Sequence, residues 1–125
     1  PIKDEMFYAE KNNGAFFNNQ RIRVSKKNNI SECLFVTGGK IETNYDFSFR
    51  KSGSAALDLA YVAAGRYDGY FQKKLNIWDI AAGIIILKEA GGMINQFDIS
   101  NTKDISIIAT NSNINALFKE KLVNF

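Results

Sequence analysis

The chain has 125 residues, of which 46% are apolar and 23% are charged, as in an ordinary soluble globular protein. This length suits one core, so we expect residues 1–125 to form a single domain. The single cysteine, Cys33, excludes an internal disulfide, and the lack of histidine excludes His-ligated metal sites. Because no apolar run can span a bilayer and no signal-peptide pattern is present, we expect a cytoplasmic, bacterial protein without membrane attachment.

The basic residues do not form a binding stripe. The net charge is +3, from 16 Lys and Arg against 13 Asp and Glu. Lys26-Lys27 and Lys73-Lys74 are isolated pairs, and the other basic residues are interspersed with acidic ones. Because non-specific nucleic-acid binding needs several phosphate contacts together, the pattern favours a solvated surface and does not favour a nucleic-acid partner.

The first third of the chain is typical of short strands and turns. A hairpin is predicted from strands at 6–10 and 15–17, followed by a short strand at 21–25. A buried strand at 34–37 then ends in Gly38-Gly39. No helix with a Lys-Ser/Thr pair follows these glycines, so we interpret them as a flexible turn and not as a phosphate-binding loop.

Ser54 is the predicted N-cap of a helix from Ala55 to Ala64 that stops at Gly65. Its predicted apolar stripe consists of Leu57, Tyr61 and Ala64. Two interpretations of the turn before this helix stay open. Its small residues let the helix pack closely on a sheet, or the amides of Gly53, Ser54 and Ala55 face an anion or hydroxyl, as helix N-termini do.

A second helix is predicted from Asp79 to Ala90, stopped by Gly91-Gly92. It is apolar almost all the way round, which indicates a buried helix. Asp79 lies in its first turn, after Trp78, where a carboxylate can cap the helix or bind a cation. The sequence alone leaves both roles open.

The remaining segments complete an alternating pattern of strands and helices. Strands are predicted at 67–72, 93–97 and 105–109, and a terminal helix capped by Asn111 or Asn113 runs through Leu122. The alternation predicts an α/β fold in which a mixed β-sheet is layered with helices.

Four motifs together closely resemble the C-terminal signature of the inositol monophosphatase family. They are Gly-Ser-Ala-Ala-Leu-Asp at 53–58, Gly-Arg-Tyr-Asp-Gly-Tyr-Phe at 65–71, Trp-Asp-Ile-Ala-Ala-Gly at 78–83 and Glu-Ala-Gly-Gly at 89–92. The resemblance runs from about Asp4 to the end of the chain. It implies the C-terminal, substrate-side half of a layered α/β/α/β/α sandwich, with the N-terminal metal-binding half absent from this chain.

The resemblance implies magnesium-dependent hydrolysis of inositol 1-phosphate or a similar small phosphate monoester. Asp79 would supply the third metal carboxylate for Mg²⁺, and no residue of this chain is assigned as catalytic. The substrate-binding residues would be Gly53, Ser54, Ala55, Gln72 and Asp79. Gln72 stands where many members of the family carry an acidic residue, which implies an altered substrate preference.

The family's Asp-Pro-x-Asp-Gly-Thr motif and its upstream Glu do not occur in this sequence. One aspartate cannot complete a magnesium site, so we expect the isolated chain to be inactive. The connection at 40–49 is also shorter than is usual in the family. The resemblance thus implies that the chain is one half of a phosphatase, whose other half is either joined to it or supplied by a separate chain. Because homodimers are common in the family, a homodimer is also possible.

Two alternatives stay open beside this interpretation. The chain can be an inactive, protein-interaction module that keeps the fold, since some bacterial relatives are thought to bind the transcription machinery. A nucleotide-binding domain is the weaker alternative, because no G-x-G-x-x-G follows a strand.

Overall fold

The computed structural model describes residues 7–10, 12–38, 47–95 and 104–122. The strands among them are β1 (Phe7–Glu10), β2 (Gly14–Phe17), β3 (Gln20–Ile22), β4 (Leu34–Thr37), β5 (Ser48–Lys51), β6 (Gly69–Leu75), β7 (Met93–Ile94) and β8 (Ile105–Thr110). The helices are α1 (Ala55–Ala63), α2 (Ile77–Glu89) and α3 (Asn115–Lys121), and a single 3₁₀ turn, Ile30–Glu32, precedes β4. None of the helices in these ranges is both long enough and apolar enough to cross a membrane.

The strands form two sheets. β1, β2 and β3 make a three-stranded antiparallel sheet, which confirms the predicted hairpin. The larger sheet has the order β5-β4-β6-β8-β7. Its strand β4 is parallel to both neighbours, whereas β8 is antiparallel to β6 and β7. The mixed sheet with its helices confirms the predicted α/β class.

Several predicted segments differ from the observed strands. The strand predicted at 21–25 is observed as Gln20–Ile22, and the one predicted at 67–72 is observed as Gly69–Leu75. Residues 48–51, which the sequence analysis assigned partly to a connection, form strand β5 beside β4. This edge strand was not predicted because most of its residues are polar. Residues 40–46 of that connection lie outside the described residues. The strand predicted at 93–97 is observed as β7 over its first two residues, while residues 96 and 97 also lie outside the described part.

The larger sheet has a separate apolar core on each face. Helices α1 and α2 cover one face, where Leu59, Leu87 and Ile107 are fully buried. Helix α3 covers the other face through Phe118, whose ring stacks on Phe35 with centroids 3.9 Å apart. The three-stranded sheet packs on the far side of α2. The described elements therefore form β/α/β/α layers.

Helix α1 begins as predicted, because the Ser54 side chain accepts a hydrogen bond from the Leu57 amide at 3.3 Å. The predicted apolar stripe is wrong. Leu57 is 38% exposed, whereas Leu59 and Val62 are fully buried. The reason is that α2 and the larger sheet together bury a different side of α1 from the one that the stripe predicted.

Helix α2 ends as predicted at Gly91, whose φ is +93°. The Gly92 amide donates to Leu87 O at 2.9 Å and the Gly91 amide donates to Lys88 O at 3.1 Å, which is a Schellman cap. The expectation that α2 is buried all round is wrong, because Trp78 is 83% exposed and Ile85 is 56% exposed. Trp78 and Ile85 are seven residues apart, so they lie on one exposed apolar stripe of α2.

A buried polar network joins the loops at the end of the larger sheet where β4 and β6 begin and β8 ends. The Asp68 carboxylate accepts hydrogen bonds from Ser25 Oγ at 2.5 Å and from the Leu34 amide at 2.8 Å. Asn111 donates to the same serine oxygen at 2.9 Å and accepts from the Ile114 amide at 3.0 Å. Asn111, one of the two predicted caps, therefore organises the turn that leads into α3.

Candidate active site

An open cleft of about 520 Å³ lies where helices α1 and α2 begin. It adjoins the carboxyl ends of the parallel strands β4 and β5, the usual place for a ligand in an α/β sheet. Its lining residues are Gly38, Ser52, Gly53, Ser54, Ala55, Ala56, Gln72, Leu75, Trp78 and Asp79. All five residues that the sequence analysis assigned to substrate or metal binding lie in this one cleft.

The turn before α1 forms one wall of the cleft. Ser52 Oγ accepts a hydrogen bond from the Ser54 amide at 3.3 Å, so this amide is held within the turn. Gly53 is exposed, and a Cβ built on it would meet no atom within 4 Å. The wall therefore leaves open space directly beside Gly53.

Asp58 lies beneath this turn and is only 1% exposed. Burial raises the pKa of its carboxyl to about 6, while a hydrogen bond that the carboxylate accepts from the Ser52 side chain lowers this pKa. Its Oδ2 atom has no hydrogen-bond partner in the described part of the chain. The sequence identified Asp58 only as the last residue of the motif at 53–58, and its burial could not be predicted from that position.

Gln72 forms the opposite wall, on strand β6. Its Oε1 accepts a hydrogen bond from the hydroxyl of Tyr70, which is completely buried. A Cβ on Gly38 would lie 2.5 Å from the same oxygen, so the glycine makes room for the amide. Burial, with the negative charges of Asp58 and Asp79, raises the pKa of the Tyr70 phenol, which therefore stays protonated and donates. Sequence analysis did not identify Tyr70 as part of the site.

Asp79 lies on the rim of the cleft, in the first turn of α2, and its side chain is exposed. Its carboxylate makes no hydrogen bond or ion pair with the residues that the structure describes, so it does not cap the helix through a hydrogen bond. Trp78 stands beside it and is 83% exposed. The carboxylate is thus free to bind a ligand.

The donor set of the described residues is incomplete for magnesium. Mg²⁺ prefers six oxygen ligands in octahedral geometry, commonly with one or two carboxylates. The described ranges contain no group of three or more side chains that could hold a metal, and the exposed carboxylate of the cleft is Asp79. These residues can contribute a ligand but do not form the site by themselves.

The comparisons with known proteins agree with this geometry. The model of the inositol monophosphatase family matches residues 1–124. A fructose-1,6-bisphosphatase/inositol-1-monophosphatase from Thermotoga maritima is 46% identical over 106 residues, which are 78% of this chain and 41% of that protein. The Nus factor SuhB of Haemophilus influenzae is 40% identical, over 91% of this chain and 49% of that protein.

A solved structure shows the same fold. The crystal structure of the extragenic suppressor protein SuhB from Bartonella henselae has a TM-score of 0.86 and 39% identity, and the match covers 99% of this chain and 54% of that one. The chain thus spans about half the length of the relatives that it matches, in their C-terminal part. The predicted resemblance is confirmed: the chain belongs to the inositol monophosphatase family and carries the C-terminal half of its fold.

Proposed function

We propose that this chain is the substrate-side half of a magnesium-dependent phosphomonoesterase that hydrolyses inositol 1-phosphate or a similar small phosphate monoester. The observation that carries the proposal is that Gly53, Ser54, Ala55, Gln72 and Asp79 line one cleft. Two helix N-termini meet there, and helix N-termini favour anionic groups such as a phosphate. Residues 1–125 act in this proposal as one domain.

Asp79 is proposed to give one carboxylate to a magnesium site. Its side chain is exposed on the cleft rim and makes no hydrogen bond with the described residues, so binding a cation would break no contact. When bound, Mg²⁺ would supply a polarised water and neutralise charge on the phosphoryl oxygens. The other carboxylates would come from an N-terminal half, joined to this chain or separate from it.

The exposed apolar stripe of α2 is the proposed docking surface for that half. Trp78 and Ile85 lie on it, and Leu57 of α1 is also partly exposed. A segment that covers Trp78 would also lie next to Asp79, so docking would bring further metal ligands to the cleft rim. Trp78 is the single tryptophan of the chain, so a ¹⁹F signal from 5-fluorotryptophan should shift when the other half is added.

The experiment that tests the proposal uses a fusion protein. In the fusion protein, this chain replaces the matching C-terminal part of the Thermotoga maritima relative. We expect the fusion protein to release phosphate from inositol 1-phosphate in the presence of Mg²⁺. Phosphate release should stop when EDTA is added and resume when Mg²⁺ is restored. The N-terminal part alone and this chain alone should release none. A fusion protein that unfolds cooperatively but releases no phosphate would overturn the proposal, as would activity of this chain alone.

A second candidate function is protein binding, and a relative favours it. The Haemophilus influenzae relative bears the name Nus factor, and the apolar stripe of α2 suits a protein partner. In this function, binding to the transcription machinery would survive Asp79→Ala and be lost in Ile85→Ser. Binding that depends on Asp79 instead, or self-association through the stripe into a homodimer, would count against this function.

A further inference from the structure

We infer that the surface around Arg66 is a docking site for a segment of a partner protein that carries carboxylate side chains. This surface, the Arg66 patch, consists of Arg66 with Phe17, Tyr61 and Tyr67, all of them exposed or partly exposed. The patch follows the end of α1, whereas the cleft lies at its beginning, about 13 Å away along this nine-residue helix. Binding at the patch therefore does not depend on the proposed function.

Two rings hold the Arg66 side chain, and a hydrogen bond holds its backbone. The guanidinium carbon lies 5.0 Å from the ring centroid of Phe17 and 4.9 Å from that of Tyr61. The Arg66 amide donates to Tyr61 O at 2.9 Å. An arginine on aromatic rings stacks through its flat face and keeps the N–H groups at its edge for other partners. Because the side chain is already ordered, a ligand that accepts from it meets a smaller entropy cost.

No acidic residue neutralises this guanidinium in the described part of the chain. Arg66 makes no ion pair there, and its side chain donates no hydrogen bond there. The acidic residue nearest in sequence, Asp68, is only 2% exposed. Its carboxylate already accepts from Ser25, from the Leu34 amide and from Lys27. The exposed guanidinium thus offers its forked donors to a carboxylate from outside these residues.

A second arginine adds positive charge next to the patch. The Arg23 carbonyl oxygen lies 3.3 Å from the position of a Cβ on Gly65, the residue before Arg66. The Arg23 guanidinium reaches the end of α2, where its Nη1 lies 3.4 Å from the position of a Cβ on Gly91. Arg23 is exposed and makes no ion pair with the residues that the structure describes. The local charge therefore attracts an acidic partner.

The aromatic residues favour a protein partner over a nucleic acid. Tyrosine, phenylalanine and arginine are enriched at protein interfaces. Arg66 covers one face of the Phe17 ring and one face of the Tyr61 ring, and Phe7 packs against both rings. These rings are therefore poorly placed to stack on bases, as single-stranded nucleic acids require. The hydroxyls of Tyr61 and Tyr67 make no hydrogen bond within the described ranges, so they can add to the recognition of a carboxylate.

The test is an NMR titration of this full chain with the capped peptide Gly-Glu-Leu-Glu-Gly. We expect the peptide to shift the Nε–H signal of Arg66. The matched peptide Gly-Gln-Leu-Gln-Gly should bind about tenfold more weakly, because it keeps the shape and loses the charge-assisted hydrogen bonds. Equal binding of the two peptides, or no shift at Arg66, would overturn the inference. This comparison uses the unmodified chain, so it does not depend on the folding of a variant.

Arg66→Lys keeps the charge but removes the planar fork, so its affinity for the glutamate peptide should fall by about fivefold or more. Arg50→Lys is the matched control, because Arg50 is exposed on the edge strand β5 and makes no ion pair in the described ranges. This control should keep the affinity of the unmodified chain. An unchanged affinity in Arg66→Lys, or an equal fall in both variants, would overturn the inference. Tighter binding of single-stranded oligothymidylate than of the peptide, weakened by Arg66→Lys, would identify a nucleic-acid site and overturn it as well.

Discussion

Replacing Asp58 with asparagine should stabilise the protein, and the effect should depend on pH. The folded state raises the pKa of Asp58 from 3.8 to about 6, so folding favours the protonated carboxyl. The contribution of Asp58 to the free energy of unfolding is therefore highest below its pKa in the unfolded state, and it is lost as the pH rises through its pKa in the folded state. Two pKa units correspond to about 3 kcal/mol. The asparagine amide stays neutral and can still accept the Ser52 hydrogen bond, so the Asp58→Asn variant avoids this loss.

The assay is urea unfolding of both proteins at about pH 4 and about pH 8, followed by circular dichroism. Near pH 4 the two free energies of unfolding should agree closely. Near pH 8 the Asp58→Asn variant should be more stable by up to about 3 kcal/mol. Asp104→Asn, at an exposed position, corrects for the general loss of a carboxylate. If the Asp58→Asn variant is no more stable than the parent at the higher pH, ionisation of Asp58 does not destabilise the folded state and the reasoning is refuted.

Two further substitutions test the packing. In Gly83→Ala the new Cβ would lie 2.8 Å from Leu59 Cβ, and this clash should outweigh the gain in helix propensity. We expect the free energy of unfolding to fall by about 1 kcal/mol, measured as a lower Tm. An unchanged or higher Tm would contradict this. In Phe118→Ala the stack on Phe35 is lost from a fully buried core, so the free energy of unfolding should fall by about 3–5 kcal/mol, and a fall below about 1 kcal/mol would contradict the packing.

Local signals in the sequence predicted the local structure well. The Ser54 cap and the Gly91 stop depend on residues close in the chain, and both are present. The burial of α2 could not be predicted in the same way. Its composition shows that the helix is apolar all round, but which side is covered depends on where α1 and the sheets pack, and Ile85 is left exposed.

The candidate site, like the fold, could be predicted only in those features that depend on local sequence motifs. Gln72 and Asp79, which the motifs singled out, both line one cleft. The roles of Tyr70 and Asp58 arise from burial and from contacts between separate elements. No periodicity or spacing in the chain could have shown that a phenol fixes the amide of Gln72.

The central claim is that Asp79 gives a carboxylate to a metal site, and the Mg²⁺ dependence of the fusion protein tests it most directly. Phosphate release from inositol 1-phosphate should be measured over a range of Mg²⁺ concentrations for the parent, for Asp79→Asn and for the exposed control Asp104→Asn. We predict that Asp79→Asn raises the half-saturating Mg²⁺ concentration by about tenfold or more, while the control leaves it unchanged. The same half-saturating concentration in Asp79→Asn and the parent would contradict the claim.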